Sequence, residues 1–108
     1  MQRLPCPYLH AEVELTQERR QHILVKHPDL LPEYLNDFAV TLADPDEMRR
    51  DTRFPATYLF SHWFENVLGG KFIVIAVVSD PPPYQRHWVV SAYIARKLTQ
   101  GEIEWQRS

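Results

Sequence analysis

The sequence predicts an α+β domain in which two N-terminal helices cover one face of an antiparallel β-meander. Apolar residues recur at helical spacing in the first half of the chain and form strand-like runs in the second half. Strands that follow one another with short connections usually pair as neighbours, and amphipathic helices then cover one face of the sheet. With 44% hydrophobic residues, the chain has material for a single domain over residues 1–108, with an extended lead-in at residues 1–13.

The first half of the chain predicts two short amphipathic helices. Thr16 provides a hydroxyl for the N-cap of the first helix, which ends near His27 because Pro28 disfavours helical geometry in the residue before it. Pro32 suits the first turn of the second helix, which ends at the Ala-Asp-Pro sequence 43–45. The apolar stripe of this second helix consists of Leu31, Leu35, Phe38 and Leu42.

The second half has the period of β-strands. Strands are predicted in the segments 49–53, 57–64, 71–79 and 87–94, and a short last strand in 102–105. The third of these segments is almost continuously apolar, which is typical of a strand in the middle of a sheet. Residues 80–85 contain three prolines and are predicted to form a loop. Alternation along 87–94 predicts a core-facing set, Trp88, Val90, Ala92 and Ile94, and an opposite set, His87, Val89, Ser91 and Tyr93.

Composition argues against several classes of protein. No apolar run reaches the roughly 20 residues of a membrane helix, and the first residues contain no apolar leader, so neither a membrane partner nor a signal peptide is expected. Cys6 is the single cysteine, which rules out an internal disulfide and a thiolate zinc site and favours a cytoplasmic protein.

The charged residues are unevenly distributed along the chain, whose formal net charge is -2. Residues 1–48 include four basic and nine acidic residues, and residues 49–108 include eight basic and five acidic residues. This imbalance fits a basic face in the second half, or an accident of composition.

Five histidines are the most informative polar residues of the chain. His22 and His27 are five positions apart on the first predicted helix, so their side chains point about 140° away from each other and do not chelate one ion. Neither an HExxH nor a CxxC motif is present, so no metal and no cofactor are expected. His10 lies in the lead-in, and His62 and His87 lie in or beside strands. A hydrogen-bonded structural role is the plainer interpretation of any one of them.

Four segments follow one another between residues 13 and 105. They are VELTQERRQHILVKHPDL, TLADPDEMRRD, KFIVIAVVS and WVVSAYIARKLTQGEIEW. In this order, and with the HP-D-L, SAY and GE-I-E-W stretches within them, they resemble the phage- and toxin-associated nucleases of the barnase/EndoU/colicin/RelE-like (BECR) superfamily. The resemblance implies a BECR-like fold, in which two N-terminal helices pack on a four-stranded antiparallel β-meander. It also implies a metal-independent endoribonuclease, either a toxin or the cargo of a mobile element. RNA would be its substrate, and a cognate inhibitor protein would be a further partner.

The resemblance also implies a reaction and the residues that perform it. RNA would be cleaved by attack of the ribose 2′-hydroxyl on the adjacent phosphorus, with one group accepting a proton and another donating one. His22 or His27 would be the general acid or base, and Lys71 would be a phosphate cation. The groups that bind or orient the phosphate would be Ser91 and Tyr93, and the further substrate-binding candidates would be Arg53, His62 and Arg96.

Two features of the sequence leave alternatives open. The acidic first half disfavours strong non-specific affinity for RNA, so the alternative function is a catalytically inactive domain of the same shape that binds a protein or a nucleic acid. The segment 57–64 is rich in aromatic residues that either stack on bases or pack in the core, namely Tyr58, Phe60, Trp63 and Phe64. The pattern does not fix an oligomeric state.

Overall fold

The computed structural model describes residues 1–80, 83 and 85–108. Its strands are β1 (Gln2–Cys6), β2 (Ala11–Leu15), β3 (Glu47–Arg50), β4 (Thr57–Phe64), β5 (Lys71–Ser79), β6 (His87–Ala95) and β7 (Glu102–Gln106). Its helices are α1 (Gln17–Lys26) and α2 (Leu35–Ala43), and a short 3-10 turn, Pro7–Leu9, joins β1 to β2. The seven strands described belong to one sheet with the order β1-β2-β6-β5-β4-β3-β7.

The predicted four-stranded antiparallel meander was wrong. Strands β3 to β6 do pair antiparallel in chain order, but β1 and β2 extend the sheet beyond β6, and β7 extends it beyond β3. The pairing of β2 with β6 is parallel, so the seven-stranded sheet is mixed. The BECR-like architecture of two helices on a four-stranded sheet is therefore not the architecture of this chain.

The extended lead-in predicted for residues 1–13 is instead a β-hairpin, in which β1 and β2 pair antiparallel. Its buried side chains alternate along both strands, as expected for strands with one face on a core. They are Leu4, Cys6, Val13 and Leu15. The prolines obscured this pattern, but Pro5 lies in β1 at the edge of the sheet, where a proline is tolerated.

The first predicted helix is confirmed, and the second begins later than predicted. α1 starts after Thr16, whose Oγ1 accepts a hydrogen bond from the Arg19 backbone N–H at 3.2 Å. α2 begins at Leu35 rather than at Pro32. The reason is that residues 28–34 first form hydrogen-bonded turns, which bury two leucines in the core.

The strands predicted at β4, β5 and β6 are confirmed, but the faces predicted for the residues of β6 before Ser91 were wrong. Ser91 lies opposite Ala76 and Val89 lies opposite Val77, so Val90 is an extra residue in β6. Such a β-bulge reverses the alternation of side chains between the residues before it and those after it. The core-facing residues of β6 are consequently Val89, Ala92 and Ile94, and those of the opposite face include Trp88, Ser91 and Tyr93.

The two faces of the sheet have different coverings. α2 packs on β1, β4 and β5 and buries its apolar side chains in the main core, on what is here called the helix face. The opposite face is here called the open face. Leu59 and Val74 on the open face are buried beside the segment 98–100, which folds back over the sheet after β6.

The remaining predictions concern the ends of the sheet. β3 covers Glu47–Arg50 rather than 49–53, because its pairing with β4 begins earlier, and the short last strand is confirmed as β7. The predicted loop 80–85 lies partly outside the described residues, which omit Pro81, Pro82 and Tyr84. Within the described part of the chain, no helix is both long and apolar enough to cross a membrane.

Candidate functional site

α1 places a histidine against β6. The helix follows β2 and runs beside β6, where Arg19 Nη1 donates a hydrogen bond to the carbonyl oxygen of Val90 at 3.3 Å. Ile23 lies one turn further along α1 and is fully buried. His27 lies a further turn along, at the end of the helix, because Pro28 follows it. The four-residue spacing keeps these three helical side chains on the side of α1 that faces β6.

His27 lies beside the aromatic ring of Tyr93 in β6. The centroid of its ring is 6.3 Å from that of Tyr93, with an angle of 41° between the ring planes. Ser91 is two residues before Tyr93 on the same strand, and both lie on the open face. All three side chains are half-buried. The structure thus brings three of the predicted catalytic residues to one part of the molecule.

The phenol of Tyr93 is protonated at neutral pH. Burial raises its pKa above the ordinary value of 10.0, the negative charge of Asp51 acts in the same direction, and the Arg49 guanidinium opposes both. The phenol is therefore a hydrogen-bond donor. In this arrangement the imidazole is a group that accepts a proton, and the phenol and the serine hydroxyl are two groups that donate hydrogen bonds to an anion.

A guanidinium also lies on the open face, but its donors are used within the protein. Arg49 Nε donates to Glu47 Oε2 at 2.7 Å, and Nη1 donates to the carbonyl oxygens of Leu98 and Gln100 at 3.3 and 3.4 Å. Arg49 therefore fastens the segment that follows β6 over the open face. Its charge is also balanced by Glu47, which reduces the attraction that it offers to a bound anion.

The other predicted catalytic residues lie elsewhere. His22 is on α1 but five positions before His27, so its side chain points about 140° away from that of His27 around the helix axis. Lys71 begins β5 on the helix face, and its Nζ donates to the carbonyl oxygen of Leu68 at 2.9 Å. Lys71 and Tyr93 are consequently on opposite faces of the sheet.

The three predicted substrate-binding residues are not brought together. His62 lies on the helix face, where its Nδ1–H donates to the carbonyl oxygen of Asp44 at 2.6 Å and links the end of α2 to β4. Arg53 is exposed after β3, at the end of the sheet where β4 begins. Arg96 is exposed after β6, at the opposite end of the sheet.

Sequence reasoning missed a second group of polar residues, at the end of the sheet where β5 ends and β6 begins. A groove of about 750 Å³, here called the end groove, opens there on the helix face and has the size of a small-molecule site. Its polar lining includes His10, Arg50, Tyr58, Ser79, Asp80 and His87. A signal was present in the sequence, because two strands that flank a loop pair at the ends of that loop, which places Ser79 opposite His87.

Several polar groups of the end groove are already paired. Ser79 Oγ and His87 Nδ1 are 2.7 Å apart. The Arg50 guanidinium donates to both carboxylate oxygens of Glu104, to the Tyr58 hydroxyl and to a backbone carbonyl oxygen. The hydrogen bond to Glu104 raises the pKa of Arg50 and lowers that of Glu104. The charge of Arg50 in the end groove is therefore already neutralised, as that of Arg49 on the open face is.

Among the described residues, no group of three or more His, Cys, Asp or Glu side chains is arranged to hold a metal ion. No family model, curated protein or solved structure matches this chain. The candidate site is therefore defined by the geometry of His27, Ser91 and Tyr93.

Proposed function

We propose that the protein is a metal-independent endoribonuclease whose reaction takes place between α1 and β6, at His27, Ser91 and Tyr93. The observation that carries this proposal is the 6.3 Å separation of the His27 and Tyr93 rings, next to the face that holds Ser91. The resemblance of the sequence to BECR-superfamily nucleases supports the same residues. It does not extend to the architecture, because the sheet has seven strands.

The reaction needs one group that accepts a proton and one that donates a proton. The neutral imidazole of His27 takes the proton of the ribose 2′-hydroxyl, and the 2′-oxygen attacks the adjacent phosphorus. A 2′,3′-cyclic phosphate forms as the 5′-oxygen leaves with a proton from the Tyr93 phenol, which burial keeps protonated. The Ser91 hydroxyl donates a hydrogen bond to a phosphoryl oxygen. The imidazolium then returns its proton to the phenolate through water, and the site is restored.

The proposal includes the partners and the location of the protein. Single-stranded RNA is the substrate. An RNA-cleaving toxin or mobile-element cargo harms the cell that makes it, so a cognate inhibitor protein is the expected second partner. A cytoplasmic location fits both this substrate and the unpaired, buried thiol of Cys6.

A second candidate function is a catalytically inactive domain that binds a nucleic acid or a protein. One observation favours it. Neither cation considered for the phosphate is available at the site, because Arg49 is paired with Glu47 and Lys71 lies on the helix face. A site that lacks such a cation stabilises the negative charge of a transition state less well.

Incubation of the purified protein with single-stranded RNA in excess EDTA tests the proposal. The wild-type protein should cleave the RNA and leave cyclic phosphate ends. His27→Ala should slow cleavage by about 10²- to 10⁴-fold, which is the usual contribution of a positioned acid or base. Tyr93→Phe keeps the ring and removes the hydroxyl, so it should slow cleavage as well.

His22→Ala is the matched control, because His22 is on the same helix but about 140° away from His27 around its axis. This variant should cleave at the wild-type rate. Full activity of His27→Ala contradicts the assignment of the site, and loss of activity in His87→Ala alone would move the reaction to the end groove. Binding of RNA by a wild-type protein that does not cleave it would favour the second candidate.

A further inference from the structure

An indole is exposed on the same face as the proposed reaction site. Trp63, near the end of β4, is 39% exposed, although most other residues of this strand are buried or half-buried. Its ring contacts Phe72 edge to face, with the centroids 5.0 Å apart. Part of the indole is therefore exposed to the solvent on the open face.

The position of the indole is fixed by its surroundings. A Cβ on Gly70 would lie 2.8 Å from the Trp63 ring, so a glycine there lets the chain between β4 and β5 pass directly beside the indole. The backbone N–H of Trp63 donates to Asp46 Oδ2 at 2.8 Å. Binding of a flat molecule to this indole therefore costs little conformational entropy, because the side chain is already held in place.

Trp63 lies close to the proposed reaction site. Trp63, Phe72 and Ala95 are opposite one another in three adjacent strands, and Tyr93 is two residues from Ala95. The spacing of strands and residues in a sheet places the Cα atoms of Trp63 and Tyr93 about 12 Å apart. This distance corresponds to about three or four nucleotides at a stacked spacing of ~3.4 Å.

Positive charge is present at the same end of the sheet. Arg96 and Lys97 follow Ala95 directly, and both are exposed. An aromatic platform beside cations is the combination with which proteins hold single-stranded nucleic acids, because the cations attract the phosphates and the ring stacks on a base.

We propose that Trp63 is the stacking platform for an unpaired base of the RNA strand whose phosphodiester reaches His27 and Tyr93. This inference rests on the proposed function and adds a place where the substrate binds. Every base has a flat face, so Trp63 provides affinity for single strands rather than for a sequence. In a duplex the base faces are stacked on each other, and Trp63 therefore also favours unpaired over paired RNA.

Equilibrium binding of a fluorescent single-stranded 2′-O-methyl oligonucleotide measures this contact separately from cleavage, because the oligonucleotide has no free 2′-hydroxyl. Trp63→Leu should weaken binding about 5- to 150-fold, which corresponds to ~1–3 kcal/mol for one stacked base. Trp63→Phe should recover part of this affinity, because it retains an aromatic face. Trp105→Leu is the matched control, since Trp105 is 38% exposed but lies on the helix face. It should bind as the wild type does.

Quenching of tryptophan fluorescence by an unlabelled copy of this oligonucleotide, in a Trp88→Phe/Trp105→Leu variant whose single tryptophan is Trp63, gives a second measurement that leaves Trp63 unchanged. Any one of three results overturns the inference. They are equal affinities of the wild type and Trp63→Leu, an absence of quenching, and an absence of binding by the wild type. Cleavage that depends on His27 but not on Trp63 would leave the proposed function without the stacking platform. Binding that depends on Trp63 in a protein that cleaves no RNA would support the platform without the proposed function.

Discussion

At the scale of single residues, some cations of the sheet hold the fold together and others are exposed. Arg50 holds β7 against β3 and β4 through the Glu104 carboxylate and the Tyr58 hydroxyl. Arg96 and Lys97 are exposed after β6. The sequence does not show which cations are paired, because the carboxylate that binds Arg50 belongs to Glu104, 54 positions away in the chain. The same difficulty applies to Lys71, which was predicted at the phosphate and lies on the helix face.

The ion pair of Arg50 predicts a pH dependence of stability that Glu104→Gln should reduce. Arg50 lowers the pKa of the Glu104 carboxyl from its ordinary value of 4.5, so the pair's contribution to stability is complete above that value. It is lost as the pH falls through the lowered pKa, when the folded protein takes up the proton. Between about pH 6 and about pH 3, the free energy of unfolding of the wild type should therefore fall more than that of the variant.

Urea unfolding at each pH measures this difference. Glu102→Gln is the matched control, because Glu102 is exposed on the same strand, two positions from Glu104. Its curve should follow that of the wild type. Parallel curves for the wild type and Glu104→Gln would mean that the Arg50 pair does not stabilise the fold.

At the scale of elements, positions along the chain were easier to predict than faces of the sheet. α1, β4 and β5 lie where the Thr16 cap and the apolar runs predicted them, because these signals are local. The bulge at Val90 arises from the pairing of β6 with β5, so alternation along the sequence assigned Trp88 to the core in place of Val89. The predicted faces are correct from Ser91 onward, because regular alternation holds after the bulge. His27 lies beside Tyr93 because α1 lies along β6, which no local pattern indicates.

Ile23→Ala tests the docking of α1 that positions His27. Ile23 is fully buried, and truncation of such a side chain to alanine typically costs about 2–5 kcal/mol of unfolding free energy. Val25→Ala is the matched control, because Val25 is on the same helix and 67% exposed, and it should cost less than about 0.5 kcal/mol. Urea unfolding measures both. Equal costs for the two substitutions would show that α1 is not packed against β6.

At the scale of the whole molecule, the central strands of the sheet could be predicted from the sequence, whereas most of its outer strands could not. The central strands are apolar runs whose neighbours along the chain are also their neighbours in space. The outer strands are five residues long, and two of them pair with strands distant in sequence, β2 with β6 and β7 with β3. Such pairings depend on closure of long loops rather than on local preference. The lead-in at residues 1–13 was consequently mistaken for a segment outside the fold.

The thiol of Cys6 tests whether β1 and β2 belong to the core. Cys6 is fully buried on β1, and burial raises its pKa from 9.0 to about 11. Near pH 8, its thiolate is therefore about 100-fold rarer in the folded protein than in the unfolded chain, and reagents reach the sulfur only when β1 separates from the sheet. Alkylation should be at least about 100-fold slower in the native protein than in concentrated urea, as mass spectrometry of the intact chain would measure. Cys6→Ser gives the background. Equal rates with and without urea would mean that residues 1–13 are an extended lead-in and that the sheet ends at β6.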